Sequence, residues 1–397
     1  MDVAIVGAGP AGAWAAYRLA RSGARVTIVD GSHPREKPCG GGVTGRALAI
    51  VAEAIGDPPL SARVIRSARF TNSQAGTSAT VPLAALGIGP ASDLVVARRQ
   101  DFDRRLLEAA CAAGATLKRA RVVDVGIDRA GVRVETADEP LYADFVIGAD
   151  GANSLVRRRV AAAFRRDQLS IATGFFAHGT TSDEIAIELV ANPPGYIWSF
   201  PRPNHLAVGI CAPAHGGTSS ARLREATRAW ICSTNIAPGA RLEPYAWPIP
   251  SLSASDFGAL TLAGPRWLLV GDAAGLVDPI TREGIFYALR SADMAARALA
   301  DDNPGRAYAD EVGAEIVGEL ARAARLQQRF FDPRFTTLLT DALLASAGIR
   351  AVMADLIAGR QSYKGLKWRL ARTREIGLAW RWLVVQSMLA GHTVLRE

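Results

Sequence analysis

Residues 3–31, VAIVGAGPAGAWAAYRLARSGARVTIVDG, decide the architecture of this 397-residue chain. Val3–Val6 is the short apolar run that a buried parallel strand requires, and it breaks at Gly7. Residues 11–21 are helix formers halted by Ser22-Gly23, and Val26–Val29 is a second apolar run. Gly7, Gly9 and Gly12 are spaced as G-x-G-x-x-G within this strand, turn, helix and strand. In that context the first glycine makes the turn, the second admits a pyrophosphate to the backbone, and the third lets helix and strand pack closely. Amides at the helix start then hold the anion. Asp30, 18 residues beyond Gly12, ends the second strand where an adenosine ribose lacking a 2′-phosphate needs an acceptor.

A distant stretch says which dinucleotide. Residues 268–290, LLVGDAAGLVDPITREGIFYALR, read as a strand ending in Gly271-Asp272, a turn of small residues, and a helix from near Glu283. A second contact along a long cofactor is what FAD needs and a nicotinamide site does not. The predicted fold class is therefore α/β, with a Rossmann-like FAD-binding domain.

Composition narrows the setting. Apolar residues make up 49% and charged residues 21%, an ordinary globular balance, and the four cysteines (Cys39, Cys111, Cys211, Cys232) are too scattered for a disulfide framework or a zinc site. No metal is expected. The start lacks a basic region before its apolar run, so the chain is read without a signal peptide and as cytoplasmic. A net charge of +8 suits anionic lipid or small anions, whereas the basic residues form no module that reads nucleic acid, so no nucleic-acid partner is expected. Lys367, Arg369, Arg372 and Arg374 precede Trp380, Trp382, Leu383 and Val384. That mixture reads either as a packed terminal helix or as a peripheral membrane contact; Arg381 interrupts it too soon for a span.

Four ordered motifs carry a resemblance: GAGPAG with Asp30; Arg99 with Phe102-Asp103 in RRQDFDRRL; GADGANSLVR from Gly148; and GDAAGLVDPITREGI. With them the chain resembles the FAD-dependent geranylgeranyl reductase family, within the group sharing the fold of para-hydroxybenzoate hydroxylase. PREKPCGGGVT and GYIWSFPRP (195–203) resemble that family's cysteine-glycine loop and Tyr-x-Trp-x-Phe-Pro-Lys element, and DLIAGRQSYKGLK resembles its C-terminal helical region. Arg202 replaces the usual Lys, and Arg282 stands where a Gly commonly precedes Glu283-Gly284.

The resemblance implies that Arg99 lies near the flavin pyrophosphate or ribityl chain, that Arg35 belongs to the cofactor loop, and that Val123 gives backbone contacts on the adenine side. It implies ribityl contacts from Asp272 and amides to the isoalloxazine from Gly284 and Ile285. Asp150 is expected to stabilise local structure and to assist nicotinamide docking. Cys39 would face the ring or the substrate cavity as proton donor, redox partner or small filler, with Arg35 and Lys37 close enough in sequence to favour a thiolate. Tyr196, Trp198 and Phe200 alternate as on one strand face, which makes them either core or an apolar wall for a long hydrocarbon or an aromatic substrate.

The expected activity is reduction of C=C bonds in a prenyl or related apolar substrate, with NAD(P)H or another reductant as transient donor. An isolated alkene accepts hydride poorly, so an acid must assist; Cys39, Tyr196, an ordered water and Glu283 are the candidates. A flavin monooxygenase acting on an aromatic or polyketide-like substrate shares the same motifs. A halogenase needs a channel lysine, and none occurs between Cys39 and Leu117. A non-catalytic prenyl-binding escort need not keep a complete flavin site.

The motifs divide the chain into a discontinuous FAD domain (1–70, 95–160 and 255–300), an inserted antiparallel substrate sheet (71–94 and 161–254) and a helical C-terminal region (305–397). Val312, Ile316 and Leu320, four apart, would share one helix face.

Overall fold

The computed structural model describes residues 1–56, 60–73, 75–83, 94–215, 217, 219–373 and 375. Its first layer is a six-stranded sheet in the spatial order Ala263–Gly264, Trp267–Leu269, Phe145–Gly148, Asp2–Val6, Arg25–Val29 and Thr116–Lys118. All neighbours are parallel except the first pair. Val3, Ala4 and Ile5 are almost wholly buried because helices cover both faces.

The nucleotide helix, Pro10–Arg21, packs between Arg99–Ala112 and Ile285–Ala298. Ala13, Ala15 and Ala16 are fully buried, small enough to let three helices approach closely. Gly23, at φ +87°, ends the helix in a conformation that L side chains avoid. The helix Ile285–Ala298 begins two residues later than its sequence suggests, with Gly284 as its cap.

A seven-stranded sheet stands beside this layer, in the order Arg241–Pro250, Leu169–His178, His205–Pro213, Pro194–Pro201, Glu184–Ala191, Ser67–Asn72 and Thr77–Pro82. Its pairs are antiparallel apart from Glu184–Ala191 with Ser67–Asn72. One face, with Phe175, Ile197, Val208 and Ile210, is sealed by Leu223, Trp230 and Ile231 of the helix Ser220–Thr234. The opposite face, with Tyr196, Trp198, Phe200 and Cys211, turns toward the FAD-type layer. A boundary at residue 70 would cut the strand Ser67–Asn72, so the large sheet takes its first strand from before that point.

Helices from Pro304 to Arg372 complete the described chain. Val312, Ile316 and Leu320 are all buried, and a π-helical turn at Gly313–Val317 lies among them. Helices Pro333–Ala345 and Ala347–Ile357 cover the far end of the large sheet through Leu339, Leu343 and Ala354. Among the described residues no single helix is long and apolar enough to cross a membrane. Trp380, Trp382, Leu383 and Val384 lie outside the described residues.

Candidate cofactor and substrate site

A trough of about 470 Å³ runs along the carboxyl ends of the parallel strands, where ligands of open α/β sheets bind. Gly7, Gly9, Asp30, Arg35, Asp150 and Asp272 all line it, so segments far apart in sequence meet there. The glycines divide the work. A Cβ at Gly12 would lie 1.9 Å from the Gly7 carbonyl oxygen, and one at Gly7 (φ +103°) 2.5 Å from that of Ala149. Gly9 has room, with His33 Nε2 at 3.7 Å from its virtual Cβ, so its bareness serves the trough. Gly9 also caps the nucleotide helix without any side-chain hydrogen bond, which leaves the first amides free for an anion.

Asp30 closes the second strand as expected, and its carboxylate is already held: Oδ2 accepts from Ala8 N at 2.8 Å and faces His33 Nδ1 at 2.8 Å, while Oδ1 accepts from Ser32 N at 2.6 Å and His33 N at 2.8 Å. Burial opposes its ionisation, yet His33 and these amides together hold the carboxyl well below the usual range.

At the other end, Asp272 lies in the first turn of the short helix Gly271–Ala274, and Lys37 Nζ stands 3.6 Å from its Oδ2. Gly284 lies beside it, since a Cβ there would be 3.2 Å from Asp272 Oδ1. Ile285 is the buried first residue of the helix that Gly284 caps, again without a side-chain cap. Two helix starts without side-chain caps thus stand at this site, Gly9-Pro10 in the trough and Gly284-Ile285 beside Asp272. This cradle, and the acidic side chains near its two ends, fit an FAD.

One expectation needs correction. Arg99 does not line the trough: it is buried, and its guanidinium grips Asp103 in two bonds of 2.9 and 2.8 Å. Burial works against that charge, but Asp103 and the neighbouring Cys39 carry it above the ordinary value. The Val123 side chain is 50% exposed because strand alternation turns it outward, while Ala120, Arg121 and Val122 line the trough beside it; the expected Val123 contact is one of backbone, which this alternation leaves unaffected. Val122→Asp should weaken FAD binding about tenfold and Val123→Asp less than about twofold, as flavin titration would reveal.

Other contributors escaped the sequence reading. His33 lines the trough and bridges toward Asp103, and Trp247 forms its outer wall under the Arg35 guanidinium, 4.8 Å from the ring centroid. Trp247 sits in a strand written EPYAWPIP, whose prolines conceal its alternation. Asp150 accepts from Leu155 N at 2.6 Å and from the Ser154 hydroxyl, anchoring the helix Leu155–Val160.

The cysteine-glycine loop lies on the aromatic strand. Virtual Cβ atoms on Gly40 and Gly42 would stand 3.0 and 3.3 Å from the Phe200 ring, so Phe200 carries the loop and is covered by it. Arg202, fully buried, holds the same loop through the Glu36 carboxylate and the Cys39 carbonyl. Cys39 Sγ accepts from Gly41 N at 3.3 Å. Trp198 is buried over Gly209, whose Cβ would meet it at 2.6 Å.

Tyr196 donates its hydroxyl to the Thr281 carbonyl at 3.2 Å and stacks beside Phe331. Burial pushes that phenol well above its ordinary value, with the Cys211 and Cys39 thiols adding to the effect and Arg282 opposing it. Glu283 is structural: it receives the Thr44 hydroxyl at 2.7 Å and pairs with Arg46. Asp278, buried in the same loop, takes the Tyr363 hydroxyl from the C-terminal region at 2.9 Å.

The FAD binding domain family matches residues 1–312. Menaquinone reductase of Mycolicibacterium smegmatis is 29% identical, covering 96% of this chain and 97% of its own length. The chloroplastic geranylgeranyl diphosphate reductase of Nicotiana tabacum is 29% identical over 78% of this chain and 68% of its own. The crystal structure of a geranylgeranyl bacteriochlorophyll reductase-like protein from Thermoplasma acidophilum superposes with a TM-score of 0.75 at 22% identity, covering 94% of this chain and 98% of that one; this is a likeness of fold. With the glycine cradle, the Asp272 loop and the cysteine-glycine loop in the places described, the chain belongs to the FAD binding domain family, as an FAD-dependent oxidoreductase of its geranylgeranyl reductase branch.

Proposed function

We propose that the protein reduces a carbon–carbon double bond in an isoprenoid or related apolar substrate. The observation that carries this reading is the meeting of the cysteine-glycine loop, the aromatic strand and the ring-end loop on one face of the large sheet. Bound in reduced form, the flavin supplies the hydride. Gly7, Gly9 and Gly12 with the nucleotide helix hold its phosphates, and Asp30 with His33 orders the adenosine end. Asp272, with Gly284 and Ile285, seats the ring end, and Lys37 balances the charge of Asp272. Tyr196 and Trp198 shape an apolar wall that excludes water. A thiol is intrinsically a stronger acid than a phenol, and Tyr196 is further weakened by burial, so Cys39 is the proton donor and Tyr196 a positioning group.

NAD(P)H, or another two-electron reductant, reloads the flavin by transient contact. The helix Leu366–Arg372 supports a peripheral bilayer contact, since Trp368 is 76% exposed beside Lys367 and Arg372. Trp368→Glu should reduce binding to vesicles containing anionic lipid several-fold in a flotation assay. Equal flotation of both proteins would remove the contact.

The reaction is tested by reducing the holoenzyme anaerobically and adding prenylated lipids or prenyl diphosphates. Reoxidation with a product two hydrogens heavier supports the reading. Reoxidation only after oxygen, with an oxygen atom in the product, would replace it with a monooxygenase.

A further inference from the structure

Arg282 occupies a position where the resembling family carries glycine, and it keeps glycine's backbone. Its φ is +60°, in the left-handed region that a long side chain adopts only when its surroundings hold it there. What holds it lies across the site. Nη1 donates to Ser251 Oγ at 2.7 Å, at the end of the strand Arg241–Pro250. The guanidinium also stands in hydrogen-bonding reach of the buried Cys211 thiol, and its charge draws down that thiol and the Tyr196 phenol, each raised by burial, so it faces the inner surface of the large sheet.

This cation is poorly provided for. Its Nε is buried with no acceptor, and among the described residues no carboxylate comes within ion-pair distance of it. Glu283, next in the chain, is committed to Thr44 and Arg46, and Asp278 to Tyr363. A half-buried guanidinium with five donors, whose protein acceptors are the Ser251 hydroxyl and the weakly accepting Cys211 sulfur, is suited to an oxygen brought by a ligand.

The chemistry of the substrate follows from that charge. Reduction of an isolated alkene led by protonation builds positive charge on carbon, and a guanidinium beside it raises the barrier. An alkene conjugated to a carbonyl reverses the sign. When hydride adds to its β carbon, the carbon–carbon π pair shifts toward the carbonyl and the oxygen becomes an enolate. A proton then reaches the α carbon, and the net change is two electrons and two protons gained, matched by two-electron oxidation of the reduced flavin. Charge develops on oxygen, where a preorganised cation is most effective.

We propose that Arg282 is the receptor for a carbonyl oxygen, and that the preferred substrate is an isoprenoid-like molecule whose reducible double bond is conjugated to that carbonyl. This rests on the reductase reading above. Farnesal and farnesol test it, because they share a carbon skeleton and differ at the oxygen. Two measurements are made on the holoenzyme: equilibrium binding to the oxidised form, read from the flavin difference spectrum, and anaerobic reoxidation of the reduced form.

Farnesal should bind about tenfold more tightly than farnesol and reoxidise the flavin faster, and Arg282→Gln should abolish both preferences. Arg282→Gly, which relieves the backbone, guards against a folding defect in the first variant and should do the same. Equal binding of the two compounds, or a preference surviving in both variants, overturns the assignment of Arg282. Preferential binding that depends on Arg282 but is followed by no reoxidation upholds the receptor and overturns the reductase reading. Reoxidation without preference does the reverse.

Discussion

Gly12→Ala gives a colourless protein. The added methyl would stand 1.9 Å from the Gly7 carbonyl oxygen and 3.2 Å from the Ala149 side chain, and neither neighbour can yield cheaply. Gly7 is fixed by its own amide, which donates to the Val29 carbonyl at 3.0 Å, and by the crowding of Ala149 around its Cα. The helix must therefore lift from the strand, taking the free amides of its first turn away from the phosphate position. Overpacking of this kind costs about 1–3 kcal/mol in stability, and the loss of cofactor should be essentially complete. Gly9→Ala separates the two effects: its methyl has room in the protein, so the fold is kept while flavin affinity falls about tenfold. Flavin-to-protein ratios after purification and thermal unfolding of both variants check this. A yellow Gly12→Ala protein with unchanged melting would refute the cradle.

Cys39→Ser should lower anaerobic flavin reoxidation by substrate about 100- to 1,000-fold while FAD content stays the same, as expected when a general acid is replaced by a much weaker one. The loop itself should survive, because Arg202 grips the carbonyl of residue 39, Phe200 supports Gly40 and Gly42, and a serine hydroxyl can accept from Gly41 N in place of the sulfur. Tyr196→Phe should cost only a few-fold, since its hydroxyl is given to the Thr281 carbonyl and burial keeps it protonated. The measurement is the single-turnover rate for each variant. A large loss in Tyr196→Phe with a normal rate in Cys39→Ser would exchange the two roles.

What the sequence disclosed follows from how local each constraint is. The Gly7, Gly9, Gly12 and Asp30 arrangement is written into one strand-turn-helix-strand unit, so spacing alone locates it. The alternating aromatics of 196–200 were equally legible as a strand face. Only the structure shows that Phe200 is spent on carrying a loop from more than 150 residues earlier. The resemblance places Arg99 near the flavin pyrophosphate or ribityl chain, but Asp103 stands one helical turn away and claims its guanidinium. Trp247 could not be foreseen: its strand reaches the trough only through pairing with Leu169–His178, and nothing in EPYAWPIP announces that partner.

The hydrogen bond from Tyr363 to Asp278 makes the tail part of the cofactor's seat. The match to the FAD binding domain family ends at residue 312, yet the loop leading to Gly284 is braced by a phenol 51 positions further on, and Glu319 fixes the backbone beside that phenol. Residues 1–312 are therefore not a detachable cartridge. Cutting the chain there would take the Tyr363 phenol from the Asp278 carboxylate and leave it the amides of Ile280 and Thr281. The phenol of Tyr363 thus ties the C-terminal helices to the turn that precedes Gly284.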